Sequence, residues 1–184
     1  MEQVMNIKMK KVLFLMVPLS IATPSLVSAD GWFKGSERGV APVENALYKQ
    51  ECSGCHYAYQ PGLLPARSWE KIMKNLDNHF GDNAELSKED TLQLTNYAVK
   101  NASDNSNYKR SKKIHRSISK NETPIRITEV AYIKRKHREL SRRHLADNPE
   151  VKTLGNCQAC HTKIDKGSFS EREINIPGFG AWDD

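Results

Sequence analysis

Apolar positions recur at helical spacing in two places along the chain. In SWEKIMKNLDNHFG, Trp69, Ile72, Met73, Leu76, His79 and Phe80 share one stripe, while Glu70, Lys71, Lys74 and Asp77 fall elsewhere. In TEVAYIKRKHREL and the residues after it, Thr128 stands as N-cap, and Val130, Ile133, His137, Leu140 and His144 form a line. Seven residues bring a helix to within about 20° of a whole number of turns and climb roughly 10 Å. His137 and His144 are therefore predicted to face one way, two turns apart. Further helices are expected over PVENALYKQEC and from about Lys88 to Asn101, the latter capped by Ser87 with Asp90 three residues on. Asn148 and Pro149 suit the start of a short helix running into GNCQACH. The tail KGSFSEREINIPGFGAWDD has no clear period, although Phe169, Ile174, Ile176 and Phe179 supply apolar cover. The pattern is mostly α.

The start of the chain reads differently. MEQVMNIKMKK is charged, VLFLMVPLSIATPSLV is apolar but broken by Pro18, Ser20 and Pro24, and Val27-Ser28-Ala29 fits the small-residue cleavage pattern of a secretory signal. The run falls short of the roughly 18 to 20 residues that span a membrane. Residues 1–29 are thus expected to direct export to the periplasm and to be removed before Asp30.

Of the formal net charge of +6, residues 108–143 alone carry +10, from 13 Lys or Arg against 3 Asp or Glu. One basic block therefore sits between mildly acidic flanks. Nucleic acid is not an expected target of an exported protein; the block reads either as an ordinary solvated helix face or as a surface that steers an acidic protein partner. Apolar residues are scarce, at 38% of the chain, so something besides side chains is needed to fill the centre.

The four cysteines indicate what that is. Two disulfides would suit an exported chain, and two C-x-x-C pairs would suit a zinc site or a redox dithiol. Yet the sequence reads Cys52-Ser53-Gly54-Cys55-His56 and Cys157-Gln158-Ala159-Cys160-His161, and none of those alternatives requires His after the second Cys both times. C-x-x-C-H is the pattern of covalent c-type haem attachment. Both thiols form thioethers with the porphyrin vinyl groups, and the adjacent imidazole turns onto the iron.

Two six-coordinate irons need two more ligands, from among His79, His115, His137 and His144. His79 lies on the stripe that follows the first motif and is preferred to Met73, which shares that stripe and would raise the potential. His137 and His144 face the same way too far apart to hold one iron from opposite sides, so at most one of them completes the haem held through His161. His115, among Lys, Arg and Ser, is expected at the surface or in a linker.

The succession ECSGCHYAYQPGLLPARSW, NHFG, RITEVAYIKRKHREL, GNCQACHTK and GSFSEREINIPGF resembles the periplasmic dihaem cytochrome c family over nearly all of the chain after residue 29. The resemblance implies two covalently bound haem c groups in two haem-binding units. The first, residues 30–102, would resemble a class I cytochrome c; the second, residues 124–184, would be short and irregularly helical, with 103–123 a basic linker or peripheral helix. It further implies His56 with His79 on one iron and His161 with His137 on the other. With both irons saturated by imidazole, the expected role is electron transfer between redox proteins and not catalysis; the resemblance implies an oxygen-binding haem protein as partner, since some members of the family donate electrons to one. The alternatives are a fixed subunit of a periplasmic reductase, or a small haem enzyme with one labile site.

Overall fold

Asparagine, proline and serine mark where the helices begin. The structure, a computed structural model, describes residues 38–182; the expected signal segment 1–29 lies outside them. Helix α1 (Ala46–Cys52) starts where the Asn45 side chain accepts the Tyr48 amide. Helix α2 (Ala66–Met73) follows Pro65 and buries Ser68, Trp69, Ile72 and Met73 along one face. Helix α3 (Lys88–Lys100) is capped by Ser87, whose hydroxyl accepts the Asp90 amide, and packs Leu94 and Ala98 against α2. Two short helices follow, α4 (Lys109–Arg116) and α5 (Ala131–Lys136). Beyond them the backbone consists of turns, single 3-10 turns and one two-residue hairpin, β1 (Asn175–Ile176) with β2 (Gly180–Ala181).

A single apolar cluster gathers α1 to α5, from Val40 and Tyr48 through Leu64, Trp69 and Leu94 to Ile114, Val130 and Tyr132. The segment 103–123, expected as a linker or peripheral helix, contributes to it directly, because Ile114 on α4 is fully buried. Gly62 allows this docking. A Cβ there would lie 2.5 Å from the Ser111 hydroxyl and 2.8 Å from Val40 Cγ1, so a side chain would hold α4 off the 61–63 turn. After residue 140 the buried apolar set thins to Val151, Ile164 and Ile176, too few to order some 40 residues of irregular chain on their own. One clip crosses the molecule at the Gly39 and Gly167 positions. The Val40 amide donates to the Gly167 carbonyl at 3.0 Å, and both glycines sit at positive φ, where a Cβ would meet the opposing backbone.

Several expected elements end sooner than their periodicity suggested. Helix α2 stops at Met73, and His79 emerges from the turn after a 3-10 segment (Leu76–Asn78). Asn75, Asp77 and Asn78 favour local side-chain bonding over helix, and the Asn75 amide does bond the Asn78 carbonyl at 2.8 Å. Phe80 then takes a positive φ and is 42% exposed, off the stripe, with Arg126 stacked 4.3 Å from its ring centre. The helix expected from Thr128 begins instead at Ala131 and ends at Lys136, leaving His137 as C-cap; four cationic residues between 134 and 138 repel one another along it. His144 therefore lies on a separate 3-10 turn (Arg142–His144). No helix follows Asn148: its side chain accepts the Glu150 amide in a turn, and the second motif lies on a 3-10 turn (Cys157–Ala159).

Candidate haem sites

The first site is assembled at the end of α1. Cys52 closes the helix, and the turn beyond it carries Cys55 and His56. His56 Nδ1 faces the Tyr57 carbonyl at 2.7 Å. A carbonyl only accepts, so Nδ1 holds the proton and Nε2 keeps its lone pair for a metal. Opposite stands His79, its ring centre 6.2 Å from that of His56 and its plane tilted by 25°. The turn holding His79 is locked by a reciprocal backbone pair, His79 to Asp82 at 2.7 Å and Asp82 to His79 at 3.2 Å. Burial, followed by the charge of His56, lowers the pKa of His79 and favours the neutral ring that can ligate. Met73 is buried in the main core cluster. An open groove of about 700 Å³ is lined in part by His79 and Phe80, but neither Cys52 nor Cys55 lines it.

The second site is a cavity of about 340 Å³ lined by Cys157, Cys160, His161 and His137, with Phe169, Ile174 and Ile176 as apolar walls. Phe179 from the tail does not line it. His137, released by the early end of α5, turns Nδ1 onto the Ile133 carbonyl at 2.8 Å and so keeps Nε2 free in the same way as His56. Its ring centre is 6.1 Å from that of His161, with the planes at 77°. Burial first, then the charges of His137 and Arg110, push the His161 imidazole down to about 4, so it is neutral at pH 7. Burial also raises the Cys157 thiol to about 11. Its neutral form suits an apolar, covalently filled pocket better than a thiolate metal site.

His144 and His115 stand apart from both pairs. His144 is buried, with its ring 4.6 Å from Phe179 and 6.1 Å from Trp182. The Ser141 amide donates to its Nδ1 at 3.0 Å. An amide can only donate, so the proton of a neutral His144 is on Nε2 and that nitrogen has no lone pair for iron. His115 is half-buried on α4 rather than at the surface, and its Nδ1 is enclosed without a partner.

The ring-centre separations of 6.2 and 6.1 Å suit two metal–imidazole bonds of about 2 Å each, with roughly 1 Å more from nitrogen to ring centre on either side. All four cysteines are free. Among the described residues no three His, Cys, Asp or Glu side chains converge to hold a metal ion, so the two C-x-x-C pairs do not meet in a four-cysteine centre. The residues fit two haem c groups, with thiols in place to be alkylated and paired imidazoles at axial separation.

Sequence reasoning missed the residues that join the sites. Directly after the first motif, the Tyr59 ring stacks 4.8 Å from His56, and its hydroxyl donates to the Gly155 carbonyl at 2.7 Å, two residues before Cys157. The Tyr57 hydroxyl reaches the Ile164 carbonyl at 3.2 Å, and fully buried Gln60 donates to the Tyr57 oxygen at 2.8 Å. Burial pushes both tyrosines up to about 12, so they remain hydroxyl donors. The only sequence signal was the aromatic and amide run YAYQ next to C-x-x-C-H.

A family model for dihaem cytochrome c matches residues 48–169, and the chain belongs to that family. It therefore carries two covalently bound haem c groups, and the family implies electron transfer. The chain is similar to the crystal structure of a dihaem cytochrome type c from Shewanella baltica OS155, at 42% identity and a TM-score of 0.62, covering 76% of this chain and 98% of that one. It is also similar to a dihaem cytochrome c from Rhodobacter sphaeroides, at 40% identity and a TM-score of 0.63, covering 71% of this chain and all of that one. A second structure from Rhodobacter sphaeroides matches at 39% identity and a TM-score of 0.57, over 70% of this chain and 99% of that one. No curated protein sequence matches. Among the described residues no helix is long and apolar enough to cross a membrane.

Proposed function

We propose that the protein is an exported, periplasmic electron shuttle in which both irons are bis-histidine, His56 with His79 and His161 with His137. The observation that carries this reading is the pair of imidazole separations, 6.2 and 6.1 Å, each bridging a C-x-x-C-H histidine and one from elsewhere in the chain. The haems supply one-electron chemistry when bound. The chain does the rest: it sets two imidazoles facing one another at each site, fixes the Nδ1 proton of His56 and of His137 on a carbonyl, and would leave no position on either iron for substrate. Imidazole pairs without thioether ligation favour low potentials.

The partner is a redox protein with an acidic face, such as the oxygen-binding haem protein that the family resemblance implies. Exposed Arg135, Lys136 and Arg138 form the cationic rim of the second cavity, with Lys134, Arg142 and Arg143 exposed around them. A positive collar at a haem mouth steers an acidic surface toward the redox centre in a complex that salt weakens.

Optical and magnetic spectra of the holoprotein test the ligation. Two low-spin haems and no carbon monoxide binding on reduction are expected, with His79→Ala and His137→Ala each converting one haem to high spin. A stoichiometric high-spin haem in the unmodified protein would refute saturation of both irons.

A further inference from the structure

One half-buried cation at the second site has no anion. Arg110, at the start of α4, donates from Nη1 to the Tyr132 hydroxyl at 3.1 Å and from Nη2 to the Phe169 carbonyl at 2.9 Å. Its Nε is enclosed and has no partner. Among the described residues no carboxylate pairs with it. The two carboxylates on the cavity lining are engaged elsewhere, Glu171 with Lys136 at 2.6 Å and Glu139 with Arg138 at 3.4 Å. Arg110 itself lines the cavity, 5.8 Å from the ring centre of Phe169, which in turn packs 5.1 Å from His161.

A guanidinium cannot shed its charge in a protein, and leaving it without a counter-ion, with its Nε–H enclosed and unpartnered, is costly. Its two neutral acceptors hold the group in place without neutralising it. The missing anion must therefore come from what fills the cavity. A haem brings two carboxylates on its propionate arms and is otherwise apolar at its edge, which matches one free guanidinium donor amid Ile, Leu and Phe.

We infer that Arg110 is the propionate-binding residue of the second haem site, and that its charge raises the reduction potential of that haem relative to the first. The inference rests on the second haem lying between His137 and His161. Loss of the cation leaves a propionate charge uncompensated beside the iron, which favours the ferric state and lowers the potential. The residue lies in the basic block, so one of its charges serves the cofactor and not the surface.

The test is a redox titration of holoprotein variants followed by electron paramagnetic resonance, in which the 77° pair at the second site and the 25° pair at the first give separate signals. In Arg110→Met the second signal is expected to titrate at a lower potential while the first does not move, and the propionate bending mode in resonance Raman shifts. Arg110→Lys, which keeps the charge but loses the planar fork, should restore the potential in large part and not the Raman mode; it also serves if the Met variant does not accumulate. Potentials that respond to added acetate or phosphate would mean a free anion occupies the site, and would overturn the assignment. An unmoved second potential with an unmoved Raman mode, or an equal shift at both haems, would overturn it too. A high-spin signal in the unmodified protein would instead strike at the bis-histidine reading itself.

Discussion

Replacing His144 by alanine separates a structural histidine from a ligating one. Its imidazole caps the 3-10 turn by accepting the Ser141 amide at 3.0 Å and packs on Phe179 at 4.6 Å, with 7% of its surface exposed. Losing a capping acceptor costs about 1 kcal/mol, and losing an edge-to-face ring contact costs about 0.5 to 1.5 kcal/mol beyond area. The cavity left where the apolar set is thin adds a comparable amount, so His144→Ala should destabilise the holoprotein by about 2 to 4 kcal/mol. Both haems should remain low-spin, because a neutral imidazole whose Nδ1 accepts an amide has its proton on Nε2. The assay is denaturant unfolding followed by haem absorbance, with optical spectra recorded before unfolding begins. A high-spin haem in His144→Ala alongside an unchanged spectrum in His137→Ala would refute the tautomer argument and exchange the roles of the two residues.

Gly167→Ala should lower stability by at least 2 to 3 kcal/mol, since φ is +71° and a Cβ would lie 1.9 Å from the Val40 carbonyl oxygen; an unchanged thermal midpoint would show that the clip at residue 40 is dispensable. Electron paramagnetic resonance of the oxidised protein should show two unlike low-spin signals, the more anisotropic from the site whose rings stand at 77°, because crossed imidazole planes leave the iron π orbitals nearly degenerate. Two identical signals would contradict the ring geometry. Reversing Lys134, Arg135 and Arg138 to Glu should slow bimolecular electron transfer with the physiological partner by about tenfold or more at low ionic strength and flatten its salt dependence. Rates indifferent to both charge and salt would leave the basic block as a solvated surface.

What the sequence determined by itself was the covalent chemistry. The order of cysteine and histidine in C-x-x-C-H is a local constraint, legible wherever the chain lies in space, and it indicated Cys52, Cys55, His56, Cys157, Cys160 and His161 without any fold. Buried faces with clear helical period were also legible: the α2 stripe buries Trp69, Ile72 and Met73, and the Ser87 cap marks the start of α3. Periodicity failed where helices stop, at the Asn and Asp residues before His79 and in the cationic run before His137, because hydrogen bonding of single side chains and charge repulsion end a helix without disturbing its apolar pattern. Tertiary structure alone decided which imidazoles face one another, since a pair such as His137 and His161 is set by packing between segments distant in sequence. It also decided the proton positions on His56, His137 and His144, which depend on which carbonyl or amide each ring meets. Finally, it showed that α4 belongs to the core and that Arg110 enters the second cavity: one buried Ile114 orients a helix whose composition is otherwise that of solvated chain.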